Sequence, residues 1–437
     1  MSGNKEKSRP SWLKWAIPAA VIIIAAAVLF FMKGGTVVSF DARALAVAEY
    51  PDKIGENLGY RYNNARLDDF LKKSIPEFLG GHEGENAVYS PLSAYMALSM
   101  LAETTDGNTR AQILELLGCG DIEKLREIAG ALWETNYCTG DMGKCVLASS
   151  MWLNDETEYN QATTDALAKY YYASAYQGKM GDPAYDALLQ KWINDQTGGL
   201  LSNHSSQLKM PEDIFIALVN TVWFKGTWSA KFNESFNETR TFHGPYGDAE
   251  REFMVSRGGI GYYYWGENFS AISRSFTNGR DMWFILPDKG VTPEELLQDE
   301  EAMRFIANKY NWANRQMARI YLFLPKFDVD SNTDMLPGLE NLGVTDALNM
   351  YVADFSPLSD DLDLPYVSKA EQAARVIVDE EGCEAAAYTV IMGAAGSSGP
   401  PANMENIIFD IDRPFIFTIT GPDGLPLFAG IVNEPNG

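Results

Sequence analysis

The chain has 437 residues, a formal charge of −24 and 46% apolar residues, so it carries the apolar content of a folded protein and is not a disordered segment. Length alone predicts two or three domains. The acidic balance, with no basic patch in the sequence, argues against nucleic acid as a partner; its plain consequence is solubility.

From Trp15 to Met32 no charged residue occurs, which is about the minimum that crosses a bilayer as a helix. Lys5, Lys7, Arg9 and Lys14 precede it and favour a cytoplasmic N-terminus, and Trp12 and Trp15 suit one interface. A cleaved signal peptide is the competing reading: Ala25-Ala26-Ala27 has the look of a cleavage site, but Val28 to Met32 continue the apolar run beyond it. The expected organisation is a cytoplasmic tail over 1–14, a transmembrane signal-anchor helix over 15–32, a tether over 33–60 and a folded region over 61–437. The folded region is expected outside the cytoplasm, held single-pass in the cell membrane, or secreted if the N-terminal segment is cleaved.

Helical periodicity runs from Tyr62 to Leu79, with Leu67, Phe70, Leu71, Ile75 and Phe78 on one face. "SPLSAYMALSMLAE" reads as a buried helix capped by Ser90 with Pro91 at its first position. "DGNTRAQILELLG" is a second helix, stopped by Gly118. Of four cysteines, Cys138 and Cys145 flank the turn-like "TGDMGK" and are expected to close a small disulfide loop outside the membrane; no pair has zinc-site spacing. "VLASSMWLN" is strand-like, and "YNQATTDALAKYYY" and "PAYDALLQKWINDQTGGLL" read as helices. After them strands dominate: "FIALVNTVWFKGTW", "REFMVSRGGIGYYYW", "MWFILP", "ARIYLFLPKF", "ARVIVDE", "PFIFTIT" and "PLFAGIVN". Helices first and strands later predict an α+β fold with largely antiparallel sheets.

The catalytic inventory is poor. The three histidines, His82, His204 and His243, form no metal-binding pair, and no G-x-S-x-G or G-x-x-x-x-G-K-[ST] occurs. Ser206 to Lys209 matches S-x-x-K without its companion motifs. Asp328, Asp330 and Asn332 imitate the start of a calcium loop, but Thr333 and Leu339 stand where glycine and glutamate are needed. No enzyme, metal or cofactor is expected.

From about Tyr62 to Pro435 the chain resembles the serpin family. "NAVYSPLSAYMALSMLAETTDGNTRAQILELLG", "LVNTVWFKGTWSAKF", "LPKFDVD", "LGVTDAL", "ADFSPLS", "YVSKAEQAARVIVDEEGCEAAAYT", and "DRPFIFTI" with "PLFAGIVNEP" follow in the family's order. The resemblance implies three mainly antiparallel β-sheets with about nine helices in one large domain, and an exposed reactive loop, here about 380–408. It implies a suicide-substrate inhibitor: a serine protease cuts the loop, the loop's first half enters the central sheet as a strand, and the acyl-enzyme is trapped in a covalent complex. A non-inhibitory member acting as a binding or substrate protein is the alternative. The family and the anchor together suggest a bacterial cell surface and a monomer.

The hinge of that loop spans Glu380, Glu381, Gly382, Cys383, Glu384, Ala385, Ala386, Ala387 and Thr389. Side chains alternate along a strand, and one face would carry Cys383, Ala385, Ala387, Thr389, Ile391, Gly393 and Ala395, with no charge. No proline interrupts Glu380 to Gly399, so every N–H there could join a ladder. Cys383 stands where the family usually has threonine or serine; it is similarly small, and oxidation of its thiol could block insertion. Family spacing sets the bait at Ala394, Ala395, Gly396 and Ser397, with the cut at Gly396-Ser397, at Ala395-Gly396 or as late as Met404-Glu405. Small residues there predict an elastase-like or subtilisin-like target. By the same resemblance Asn86, Ser90, Ser93 and Asn220 form a polar shutter beneath the opening sheet, with Gln372 in place of a frequent histidine, and Trp228 marks the breach where insertion begins. Gly120 to Tyr137 holds only Lys124 and Arg126 as cations, so no heparin-type activation is expected.

Overall fold

The structure is a computed structural model that describes residues 42–50, 67–140, 143–309, 312–383 and 404–435. The expected anchor over 15–32 lies outside the described residues; among those described, no helix is long and apolar enough to cross a membrane.

Strand β1 (Arg43–Ala46) precedes helix α1 (Asp68–Leu79), strand β2 (Ala87–Tyr89) and helices α2 (Pro91–Glu103), α3 (Gly107–Leu116) and α4 (Ile122–Asn136). A hairpin follows, β3 (Cys138–Gly140) and β4 (Gly143–Leu153), then α5 (Gln161–Tyr170), β5 (Ala173–Gln177), α6 (Pro183–Gln196), α7 (Ser202–Ser205) and β6 (Ile216–Thr227). Strands β7 (Glu238–Gly244), β8 (Gly247–Trp265), β9 (Phe269–Ser275) and β10 (Asp281–Pro287) lead to α8 (Pro293–Leu297) and α9 (Glu300–Ala307). The rest is β11 (Arg315–Pro325), β12 (Phe327–Asp334), α10 (Leu336–Asn341), β13 (Glu371–Val378), β14 (Gly382–Cys383), β15 (Asn406–Asp410), β16 (Phe415–Thr420) and β17 (Pro426–Val432).

The helix ends follow the sequence signals. Ser90 caps α2 by accepting from the Ser93 N–H, with Pro91 at its first position, and nearly every side chain of α2 is buried. Helix α6 stops before Gly198 and Gly199, both at positive φ.

The strands form an eight-stranded sheet, in order β1-β5-β4-β6-β14-β13-β12 with β3 on β4, and a nine-stranded sheet, in order β15-β11-β8-β9-β10-β16-β17-β2 with β7 on β8. The three sheets expected from the resemblance appear as two hydrogen-bonded networks because the 19-residue β8 runs through two of them. It pairs with β7 and β11 over most of its length and reaches β9 only at Tyr263–Trp265. A register shift against β11 at the positive-φ Gly258 lets β8 turn between the two settings.

Two expectations are corrected. Residues 42–50 are not a free tether: β1 pairs antiparallel with β5 at the sheet edge, and Tyr50 stacks on Trp133, Tyr137 and Tyr172. An exposed edge strand offers unpaired backbone groups, and this segment takes them. Cys138 and Cys145 do face each other across the β3–β4 hairpin, yet both are free thiols. Cys138 Sγ donates to the Gly143 carbonyl at 3.7 Å, while Cys145 is wholly buried, which pushes its thiol up to about 12.

Candidate functional site

The larger interest lies between β6 and β13. Both pair antiparallel with the two-residue β14, so they run parallel to each other and are held apart by it. Cys383 sits opposite Val378 on one side and Gly226 on the other. Beyond these two residues no pairing joins β6 to β13 among the described residues. A cavity of about 10 Å³ lies beside Cys383, lined by Val222, Phe224, Val376 and Ile419 among others. Among the described residues the sheet therefore has a slot occupied only at its mouth, and a strand continuing β14 would pair antiparallel on both sides.

A tight turn feeds the mouth. Asp379 Oδ1 accepts from the N–H groups of Glu381 (2.9 Å) and Gly382 (3.1 Å), and the Asp379 N–H donates to the Gly382 carbonyl at 3.0 Å. Gly382 is required there, because a Cβ would lie 2.1 Å from the Gly226 carbonyl oxygen.

Trp228 braces the turn from beneath. Its indole N–H donates to the Asp379 carbonyl at 2.9 Å, its backbone N–H to the Glu381 carbonyl at 3.0 Å, and its ring stacks on Phe276 at 4.5 Å. Glu380 is 7% exposed and makes an ion pair with Lys326 at 2.6 Å, while Asn237 donates to it at 2.5 Å. Burial pushes the Glu380 carboxyl upward, but the hydrogen bonds from Lys326 and Asn237 outweigh it and hold it below the usual glutamate range. Burial lowers Lys326, and its bonds to Glu380 and Glu252 more than restore the charge. Glu381 pairs with Lys231 at the surface. The breach position of Trp228 and the hinge residues Glu380 to Cys383 are thus one cluster.

A second polar cluster lies lower in the slot. Gln372 bonds both ways with Ser90, accepting from its N–H at 2.7 Å and donating to its carbonyl at 3.0 Å. The Ser90 hydroxyl donates to the Leu427 carbonyl at 2.7 Å, and Ser93 Oγ donates to the Asn220 carbonyl at 3.3 Å. Asn220 Nδ2 donates to Ser149 at 2.7 Å, but its Oδ1 is buried without a hydrogen-bond partner. Asn86 stands apart from these residues. At the far end of β2 it ties the C-terminal segment, accepting from the Asn433 and Glu434 N–H groups and donating to the Glu434 carbonyl.

Glu384, Ala385, Ala386, Ala387, Thr389, Ala394, Ala395, Gly396 and Ser397 lie outside the described residues. The sequence reading missed Lys326, Asn237, Asp379 and Ser149. Lys326 had a faint signal, a lysine between the apolar "LFLP" and "F". The false calcium-loop residues belong to β12: Asp328 holds Arg375 at 2.6–2.8 Å, and Asp330 contacts His204. Lys124 pairs with Glu127 and Arg126 with Glu103. Among the described residues no cluster of metal-ligating side chains occurs.

Comparison with known proteins agrees with this architecture. The family profile described as Serpin (serine protease inhibitor) matches residues 67–435, and the chain belongs to that family. Relatives include plasminogen activator inhibitor 1 of Sus scrofa, 26% identical with 85% of this chain and 92% of that protein covered. Alpha-1-antiproteinase of Rattus norvegicus is also 26% identical, over 86% of this chain and 90% of the relative. Among solved structures the thermophilic serpin tengpin in its native state superposes with a TM-score of 0.74, at 26% identity, covering 89% of this chain and 97% of tengpin.

The clamp has a pH sign. Glu380 is held below its ordinary value of 4.5, so its contribution is present above that value and is lost as pH falls through the lower folded value. Thermal unfolding from pH 7 down to pH 3 should show a steeper acid loss for the wild type than for Glu380→Gln, which should be less stable at neutral pH. Parallel curves for the two proteins would exclude the clamp.

Proposed function

We propose that this protein is a suicide inhibitor of serine proteases with elastase-like or subtilisin-like specificity, and that the slot between β6 and β13 is where its cleaved loop goes. The observation that carries this reading is the register of β14. Continuing it residue by residue from Cys383, opposite Val378 and Gly226, sets Ala385 between Phe224 and Val376 and Ala387 between Val222 and Ala374. Val376, Ala374, Phe224 and Cys383 are all buried, so the uncharged face of small residues is the face that would turn inward. Thr389 would then arrive between Asn220 and Gln372. Its hydroxyl can supply the donor that Asn220 Oδ1 lacks.

The chemistry asks little of the inhibitor's side chains. The protease's serine attacks the bait carbonyl and releases the new amine, leaving an ester to the loop's first half. Strand addition then carries the bound protease away before water hydrolyses the ester. The gain comes from two new antiparallel ladders and burial of the small face, and it is available only after the cut frees the loop's far end from β15.

The domain is expected to act as a monomer, outside the cytoplasm, held to a bacterial cell surface by residues 15–32. Cell fractionation should place the full chain with membranes and a chain lacking residues 1–32 in the soluble fraction; a soluble full chain at its mature length would refute the anchor.

Mixing the protein with pancreatic elastase or subtilisin should give a complex at the summed mass that survives denaturing electrophoresis. Ala385→Arg would force an unpaired charge between Phe224 and Val376 at a cost of several kcal/mol. It should raise the number of inhibitor molecules cleaved per protease trapped by at least about tenfold. Trapping at the wild-type ratio would show the register to be wrong, and loop cleavage without any complex would favour a non-inhibitory role.

A further inference from the structure

One histidine lies across the slot from the segment that carries it. After α6 the chain crosses to the far strands and comes back. Gly198 lies against Trp223 of β6, so close that a Cβ would be 2.6 Å from the indole ring. Leu200 lines the cavity between β6 and β13, together with Phe224 and Arg375. His204, in α7, reaches β12, where its Nε2–H donates to Asp330 Oδ1 at 2.5 Å. The return leg stands on the near side again. The Met210 N–H donates to Asp186 of α6 at 2.8 Å, and the Met210 carbonyl accepts from the Gly181 N–H at 2.8 Å. Strand β6 then begins at Ile216. Residues 197–215 are therefore a flap with both legs on the α6 and β6 side and with His204 fastened to β12.

The flap lies on the side from which a strand would enter. The opposite wall of the cavity is Ile419 and Phe428, both buried on β16 and β17. In the register that continues β14, Ala386 would stand between Trp223 and Arg375, at the level where the flap crosses. Tyr388 would stand one step lower, between Thr221 and Ala373. A protease domain of about 220 residues has a radius of gyration near 17 Å, so a strand with a protease at its end cannot be threaded beneath the flap. It can pass around the tip once His204 leaves β12.

The fastening is one whose strength depends on a proton. A neutral imidazole gives Asp330 one hydrogen bond, and an imidazolium gives it a hydrogen bond and an ion pair. The other charged groups on the packed elements are Asp328 and Asp334 on β12 and Arg375 and Glu371 on β13. Lys191 and Asp195 lie on α6, and Lys209, Glu212 and Asp213 on the flap itself. Asp328 is bonded to Arg375, Lys191 to Asp195 and Glu371 to Lys369. Of these residue types histidine is the one that changes charge between about pH 5 and 8. The His204 and Asp330 side chains are 24% and 38% exposed, so the added attraction is that of a partly screened pair.

We propose that the His204–Asp330 contact is a proton-operated latch on this flap, tightened by acid, that sets the share of loop cleavages ending in a trapped protease. His204 and Asp330 touch no part of the protease and act through the flap. The latch rests on the insertion reading above and deepens it. When His204 is charged the flap lifts more slowly, and water has longer to hydrolyse the ester. When His204 is neutral the strand passes sooner and more of the protease is trapped.

The test uses His204→Gln, which keeps a donor but does not titrate, and Asp330→Asn, which keeps an acceptor without the charge, with thermal unfolding to confirm that both fold. A synthetic peptide of residues 384–395 is added to each intact protein at pH 8 and pH 5.5, and its insertion is followed as the appearance of a form with a raised melting temperature. The proposal expects the wild-type rate, divided by that of His204→Gln, to fall at least about threefold from pH 8 to pH 5.5. Asp330→Asn should show no such fall. With pancreatic elastase or subtilisin, the wild-type ratio of complex to cleaved product, divided by that of His204→Gln, should fall in the same direction; the division removes the protease's own pH dependence. A rate ratio that stays level or rises in acid would overturn the latch, as would an Asp330→Asn variant that keeps the wild-type response. If the peptide enters none of the three proteins, the slot reading fails and the latch with it. If the peptide rates behave as expected but no complex forms, the inhibitory reading alone fails and the latch stands.

Discussion

Among the described residues, two parallel strands of one sheet share a partner only at one end, and the rest of the molecule is arranged around that constraint. Strands β6 and β13 run parallel, and among the described residues only Gly382 and Cys383 lie between them. Unpaired backbone groups along a sheet are a template for strand addition. On the proposed reading the slot accepts one antiparallel strand, and the chain carries the candidate directly joined to its mouth. On the proposed reading, the hinge has to be held in one setting until the loop is cut.

The hinge cluster does that locally. Asp379 closes the turn, Gly382 passes where no Cβ fits, and Trp228 bonds to the backbone on both sides of Glu380. Glu380 is buried and pairs with Lys326, whose side chain is partly exposed. Removing one member of such a pair leaves the other's charge uncompensated, so the clamp favours one setting of the hinge. Lower down, Gln372, Ser90, Ser93 and Asn220 link the two flanks of the slot to the N-terminus of α2. The side chains of Gln372 and Ser90 are held by two hydrogen bonds each, while Asn220 leaves its Oδ1 unsatisfied.

Much of this was legible in the sequence, and the reason is periodicity. A strand reports its two faces every second residue, so the run from Cys383 to Ala395 declared an uncharged face before any sheet was known to receive it. Ser90 and Pro91 declared the start of α2 for similarly local reasons. What could not be read were pairings between distant segments. Lys326 and Glu380 are separated by 54 residues, and Trp228 and Asp379 by 151; no local pattern announces such partners. The shutter positions came from family likeness, which grouped Asn86 with residues it does not touch. Spacing also misled at Cys138 and Cys145, where a hairpin brought two thiols opposite each other without joining them. The edge strand β1 was missed because a four-residue alternation, "RALA", is too short to separate from a linker.

The central claim is that the slot is completed by the loop's own first half. The most direct measurement compares hydrogen exchange and melting temperature of the intact protein with those of protein cut once within residues 394–405. The account predicts that the cut form melts well above the intact one and gains protection along residues 384–391 and on both flanks, Asn220 to Gly226 and Gln372 to Val378. A cut form that melts at or below the intact protein, with its loop still exchanging freely, would contradict it.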